Sequence, residues 1–428
     1  IASYKRALEI DPNQAVAHSN LGNVMLAIGD FDGAIRCYRR AIEIQHDFAA
    51  AYSNLGVALK DAGYTTEALD SLRQAVKIMP ALTAARSNVL FVENSLGKLT
   101  QMELLEEAKR FGDVVTTQAK AFTSWENEPD PDRPLRIGLV SGDLRDHPVG
   151  QFVEGVLHAL ASTAATQLEI HAYNTFLCSD DVTQRIRGCC QGWHSALGHS
   201  DEALANKIRD HGIDILIDLS GHTAHNRLQL FAWKPAPVQV TWLGYLATTG
   251  ISAVDYLIAD EWTLPETEEC NFVEKIWRLP DSYLCFTPPR ETTPVSQLPA
   301  LHNGYVTFGS FNNLTKINDD VVALWARILL AVSGSRLFLK TKQFAQPSRQ
   351  QLIRDRFSAH GIEGERLLLS GQVAREDYLA PYQQLDIALD PFPYPGITTS
   401  VESLWMGIPV ITLAGSSFLS RQGVGLLT

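Results

Sequence analysis

Ala17-His18-Ser19-Asn20-Leu21-Gly22 returns as Ala51-Tyr52-Ser53-Asn54-Leu55-Gly56, two versions of one hexapeptide set 34 residues apart. The offset persists along the chain: Gly29 answers to Gly63, Ala34 to Ala68, Ala41 to Ala75 and His46 to Pro80. A half-unit precedes them, with Tyr4, Ala7 and Pro12 in phase with Tyr38, Ala41 and His46, and a degenerate half-unit follows around 83–94. Small residues at Gly22, Ala34 and Ala41 let two antiparallel helices approach closely, and Gly29 falls in the turn between them. One helix-turn-helix unit of this size cannot bury its own apolar face, so successive units must stack.

Period and small-residue placement resemble the tetratricopeptide repeat, which winds into a superhelix with a concave face suited to an extended peptide. The chain opens in mid-repeat, at the second helix of a unit, so further repeats are expected before Ile1. Helical character runs to about residue 122, giving a repeat region over 1–122.

Residues 123–134 (TSWENEPDPDRP) pack three prolines among acids and read as a linker. Beyond it, short β-branched runs alternate with helical stretches. Strands are expected at Arg136–Ser141, Leu168–Asn174, Ile213–Leu219, Val238–Leu243 and Asp255–Ala259. After a second proline-rich connection they resume at Val306–Phe311, Arg336–Lys340, Arg366–Leu369, Ile387–Asp390 and Val410–Thr412. Strand–helix alternation predicts two doubly wound α/β lobes, over 135–285 and 304–428, joined through 286–303. Ligands of such sheets bind beyond the strand C-terminal ends.

Composition narrows the partners. The 428 residues carry a formal net charge of −12, which opposes nucleic acid and anionic membranes. No apolar run reaches the roughly 20 residues of a membrane span. Six cysteines without a CxxC pair read as reduced thiols, and a cytoplasmic location is expected.

Candidate chemistry gathers at strand exits. In the second lobe Lys316 closes Gly309-Ser310-Phe311-Asn312-Asn313-Leu314-Thr315-Lys316, where an ammonium can meet a phosphate as a point charge. Pro393-Tyr394-Pro395-Gly396-Ile397-Thr398-Thr399 runs from a strand straight into a helix, whose first-turn amides favour an anion. The same stretch, Thr399-Ser400-Val401-Glu402, also fits a capping box, which would leave Glu402 capping its own helix. In the first lobe His147 follows the opening strand, and Asp218 and His222 follow a later one, as acid–base or orienting groups. No GxGxxG, GxxxxGK[ST] or GxSxG is present, and the histidines lack ligand spacing on any single element, so no metal is expected.

These segments together resemble the nucleocytoplasmic O-GlcNAc transferases, most closely the SPINDLY-like and bacterial type. The wording that carries the resemblance is DxRxHPV (143–149), DLSGHTAHNRL (218–228), PAPVQVTWLGYLATTG (235–250), FGSFNNLTKI (308–317) and PFPYPGITTSVESLWMGIPVITL (391–413). The resemblance implies a tetratricopeptide superhelix followed by a glycosyltransferase-B pair of Rossmann-like lobes. It further implies an inverting, metal-independent protein O-glycosyltransferase that needs no cofactor beyond a nucleotide-sugar co-substrate, UDP-GlcNAc by default. The acceptors are Ser or Thr of proteins held by the repeats, and a homo-oligomer is compatible with it. GDP-fucose or UDP-glucose as donor, or an inactive scaffold, are the alternatives.

By the same resemblance Lys316 neutralises the donor diphosphate, Asn313 lies near it, and Thr398 and Thr399 bind it at the helix start. Glu402 takes the ribose hydroxyls, Val373, Ala374 and Arg375 recognise the base through their backbone, and Tyr378 stacks on it. His147 is the base or orienting group, with Asp218 and His222 on the acceptor side. The chain departs from the animal pattern in three places. Ile397 stands where a histidine contacts the diphosphate, Pro381 stands near a nucleotide-associated arginine, and 281–305 replaces a long insertion. A longer C-terminal helix is expected beyond Thr428.

Overall fold

The computed structural model describes residues 1–289, 293–371 and 377–428. It divides into two compact units. The first contains 1–98, 289–416 and 422–427; the second contains 99–288, 417–421 and 428.

In the first unit the 34-residue period becomes helix pairs: α1 (Ala2–Ile10), α2 (Ala15–Ala27), α3 (Phe31–Ile44), α4 (Ala49–Asp61), α5 (Thr65–Ile78) and α6 (Thr83–Leu96). Gly22 and Gly56 occupy the crossing points. A Cβ at Gly22 would lie 2.6 Å from Tyr38 Cε1, and one at Gly56 would lie 2.5 Å from Leu72 Cγ. Gly29 and Gly63 adopt φ of 82° and 91° in the turns, which glycine tolerates without a Cβ penalty. Ala34, Ala41, Ala68 and Ala75 are fully buried, as close helix approach requires.

The same unit holds a five-stranded parallel sheet: β8 (Thr307–Ser310), β9 (Arg336–Lys340), β10 (Leu367–Ser370), β11 (Ile387–Leu389) and β12 (Val410–Ile411). The five-strand order is β10-β9-β8-β11-β12. Its core includes Trp325, Leu329, Leu337, Leu339, Ile353 and Phe357, where Asp319–Ala331 and Pro347–Ser358 cover the sheet. Asn318 caps the first of these helices through Val321 N at 2.9 Å, and Pro347 opens the second.

The repeats are not a free arm. Arg349, 2% exposed, donates to Ala62 O at 2.8 Å and to Asp32 Oδ1 at 2.5 Å, and lies over the Tyr64 ring. Gln346 donates to Gly29 O, and Ser348 donates to Asp32 Oδ2 at 2.9 Å. The repeat turns thus pack on the start of the Pro347–Ser358 helix, so units that repeat in sequence are held by a lobe that does not.

The second unit opens with α7 (Gln101–Thr117), which starts at a Thr100–Glu103 capping box. Its sheet has β1 (Leu135–Ser141), β2 (Leu168–Asn174), β3 (Gly192–Ser195), β4 (Ile215–Asp218), β5 (Val238–Thr241), β6 (Tyr256–Asp260) and β7 (Lys275–Leu279) in the order β3-β2-β1-β4-β5-β6-β7. All pairings are parallel, with Ile137 opposite Ile170 and Ile215. The proline-rich segment before β1 is tied down: Trp125 donates to Lys234 O, Asn127 to Asp214, and Arg133 pairs with Asp214 at 2.6 Å. Among the described residues no helix is long and apolar enough to cross a membrane.

Candidate active site

Strand order fixes where ligands go. In each sheet the chain winds outward one way and then restarts on the other side, between β1 and β4 in one and between β8 and β11 in the other. The loops leaving those neighbouring strands diverge and leave a crevice at their C-terminal ends. His147 follows β1, Asp218 ends β4, Lys316 follows β8, and Thr398 and Thr399 follow β11, so every one sits at a switch point.

At the β8/β11 switch the 393–397 loop enters an eight-residue helix at Thr398. Gly396 has to be glycine, because a Cβ there would lie 2.5 Å from Ser400 Oγ and 2.8 Å from Asp390 Oδ1. Asp390 ties the loop down, accepting from Gly396 N at 3.2 Å and Ser400 Oγ at 2.6 Å. Lys316 Nζ donates to Pro395 O at 2.9 Å and lies 3.9 Å from the Tyr394 ring centroid. Lys316 keeps some exposure as a residue, yet its ammonium is enclosed; burial pulls it down to about 8, against the opposing pull of Asp390. Thr399 Oγ1 donates to Asn312 Oδ1 at 3.2 Å.

The capping-box reading of Glu402 is overturned. Ile397 is the N-cap and gives no side-chain cap, while buried Glu402 accepts from Tyr378 Oη at 3.0 Å and Tyr382 Oη at 2.7 Å. Lys340 donates to Tyr378 O at 3.1 Å and lies over the Tyr378 ring; burial lowers it, Glu402 opposing. Asn313 turns elsewhere, its Oδ1 accepting from Thr315 N at 3.0 Å and Gln343 Nε2 at 2.6 Å. Val373, Ala374 and Arg375 lie outside the described residues.

In the second unit, His147 is the N-cap of the Pro148–Thr163 helix and accepts from Val149 N through Nδ1 at 3.3 Å, with Asp143 Oδ1 3.7 Å away. A ring whose Nδ1 accepts carries its proton on Nε2 and presents a donor there. Asp218 is completely buried and accepts from Ser220 N at 3.1 Å, Gly221 N at 2.8 Å and Thr241 Oγ1 at 2.8 Å. Burial pushes it up to about 6 in spite of those three donors. His222, edge-on to the Phe111 and Tyr245 rings, bonds Thr249 O through Nε2 at 3.1 Å, and burial brings it down to about 4. Both hold the Asp218–Thr223 loop from inside the fold.

Sequence reasoning passed over Asn312, Asp390, Lys340 and Tyr382. Only the neighbouring Asn313, the end of β11 and the spacing to Glu402 hinted at them; their partners lie on loops and a helix beyond the strands.

A model of glycosyl transferase family 41 matches residues 109–287 and 292–428, and tetratricopeptide models match 1–29, 25–63 and 48–79. The chain belongs to glycosyl transferase family 41. Its relatives include a protein from Arabidopsis thaliana named probable UDP-N-acetylglucosamine--peptide N-acetylglucosaminyltransferase SPINDLY, 41% identical over 344 residues, covering 79% of this chain and 37% of the relative. A Caenorhabditis elegans UDP-N-acetylglucosamine--peptide N-acetylglucosaminyltransferase is 25% identical, covering 68% of this chain and 35% of its own length. Among solved structures, a Thermobaculum terrenum O-GlcNAc transferase mutant superposes with a TM-score of 0.93 at 35% identity, covering all of this chain and 81% of that one. The matched stretch therefore spans little more than a third of the plant relatives' length. Tetratricopeptide helices and two parallel α/β lobes are thereby the fold of this family 41 chain.

Proposed function

We propose that this family 41 chain is an inverting, metal-independent protein O-glycosyltransferase, moving one GlcNAc from UDP-GlcNAc to Ser or Thr of proteins that the repeats engage. The observation that carries the reading is the enclosed Lys316 ammonium held at the loop that opens the Thr398–Trp405 helix. Breaking a sugar–diphosphate bond builds negative charge on the departing β-phosphate. A fixed ammonium, the Thr398 and Thr399 hydroxyls and first-turn amides stabilise that charge without reorganising. In this reading Glu402, oriented by the Tyr378 and Tyr382 hydroxyls, takes the ribose, and Asn312, bonded to Thr399, lines the diphosphate in place of Asn313.

On the acceptor side His147 offers an Nε2–H that orients the incoming hydroxyl, whose proton leaves to the departing diphosphate or to solvent, while Asp218 and His222 fix the loop around it. The family matches and the relatives' names support transfer from UDP-GlcNAc to peptides. The test is incubation with an acceptor peptide and UDP-GlcNAc, GDP-fucose or UDP-glucose in parallel, read by intact-peptide mass. A HexNAc increment supports the proposal; a deoxyhexose or hexose increment reassigns the donor; no increment together with no binding of UDP or GDP leaves a scaffold.

A further inference from the structure

At one edge of the seven-stranded sheet, three imidazoles from three different elements meet. His171 of β2 lies opposite Gly192 of β3, and Tyr173 opposite His194, so both histidines share a face. His211, the residue that ends the Asp201–Asp210 helix, lies over them. One nitrogen of each ring lies within 4.8 Å of the other two. His171 Nδ1 and His194 Nε2 are hydrogen-bonded at 3.3 Å, a contact the ion would replace, and the His194 and His211 ring centroids are 4.4 Å apart. Two nitrogens on one tetrahedral zinc ion, each at ~2.0–2.1 Å, are separated by roughly 3.3 Å, so that pair already has ligand spacing.

Two further features fit a ligand set better than simple packing. A Cβ on residue 192 would lie 2.7 Å from His194 Nε2 and closer still to His171 Nδ1, so Gly192 keeps open the space where the nitrogens converge. Tyr173 Oη is 2.8 Å from His211 Nδ1, a hydrogen bond that would hold that ring in place. Imidazole nitrogens brought from three elements onto one space suit a zinc ion.

We infer that His171, His194 and His211 bind one divalent transition-metal ion, Zn2+ by its ligand chemistry, with water as the fourth ligand. The ion would staple edge strand β3 to β2 and to the end of the helix before β4. His171 is paired with Gly138, three residues before the end of β1, so it belongs to the body of the sheet and not to its C-terminal switch. The ion would lie away from that switch and leave the proposed metal-independent transfer untouched.

The experiment strips the untagged chain with a chelator, reloads it with Zn2+ or Co2+ and counts bound metal by mass spectrometry. One equivalent of Zn2+, a Tm rise of a few degrees and visible tetrahedral Co2+ bands free of thiolate charge transfer are expected. His194→Ala and His211→Ala should each lose the ion. Tyr173→Phe should keep it with affinity weaker by roughly 10–100-fold, and His199→Ala should bind as the unaltered chain does. Failure of the unaltered chain to load, thiolate bands in the Co2+ spectrum, or full loading of a His171→Ala/His194→Ala double variant would each overturn the inference. The Co2+ spectrum of the unaltered chain decides even where a variant fails to fold.

Discussion

Lys316 donates to the carbonyl oxygen of Pro395 at 2.9 Å, tying a residue that follows β8 to the loop that follows β11. The bond bridges the switch point of the smaller sheet and points the ammonium at the start of the Thr398–Trp405 helix. Lys316→Ala should therefore weaken UDP binding by about 10–100-fold, the loss of a charge-assisted contact of about 1.5–3 kcal/mol. His147→Ala should spare UDP affinity while lowering transfer. Calorimetric titration of both variants checks this, and equal losses of affinity would contradict the division of labour between the lobes.

The same lysine sets a pH dependence. Its folded value of about 8 lies below the unfolded 10.5, so between those values the unfolded chain binds more protons and this group's contribution to ligand-free stability rises with pH. Nucleotide binding runs the other way, because a diphosphate favours the protonated ammonium. UDP affinity should fall above about pH 8, by up to tenfold per unit. Titrations at several pH values, repeated on Lys316→Met, should give a slope in the parent and none in the variant.

Asp218 supports the second-lobe loop from beneath. Its folded value near 6 exceeds the unfolded 3.8, so the stability it contributes is greatest below about 3.8 and is lost as pH rises through about 6. Asp218→Asn keeps the size but turns an amide donor toward groups that already donate, costing about 1–3 kcal/mol. Its Tm deficit against the parent should be largest near pH 4 and shrink toward pH 7. A deficit that grows over that interval would reverse the assigned direction.

Glycines in the repeats separate two physical demands. Gly22→Ala drives a methyl into the Tyr38 ring, an overpacking error expected to cost about 1–3 kcal/mol. Gly29→Ala meets nothing within 4 Å but must hold φ at 82°, costing about 1 kcal/mol. Chemical denaturation should rank the first variant below the second.

Much of this was legible in the residues, and for local reasons. A 34-residue period and a run of β-branched residues are written in consecutive positions, so the repeats emerge from sequence, and Leu168–Asn174 and Arg336–Lys340 emerge with their observed bounds. β3 and β7 went unread because Gly192-Trp193-His194-Ser195 and Lys275-Ile276-Trp277-Arg278-Leu279 are half-exposed edge strands with no apolar run. Lys316 was visible as a cation after a strand, but Asp390, which holds the loop Lys316 reaches, was not, since the turn that brings Gly396 and Ser400 back onto it carries no motif of its own. The histidine cluster was hidden for the same reason: its members lie on three elements, and ligand spacing along one element does not register it.

The ion pair between Arg349 and Asp32 makes the sharpest prediction about the repeats. Arg349 is buried and its fork bonds both the Asp32 carboxylate and the Ala62 carbonyl, one group from each of two successive repeat turns. Asp32 retains 36% side-chain exposure, so it can be rehydrated when its partner is removed. Arg349→Met should therefore cost about 1–2 kcal/mol, below the 3–5 kcal/mol typical of breaking a wholly buried pair. Arg349→Lys should not restore it, because a point charge cannot span two acceptors as a planar fork does. Hydrogen exchange should quicken at Gly29–Asp32 and Ala62–Tyr64 while UDP affinity holds. Unchanged protection in those two turns would mean that the backbone packing alone latches the repeats to the lobe.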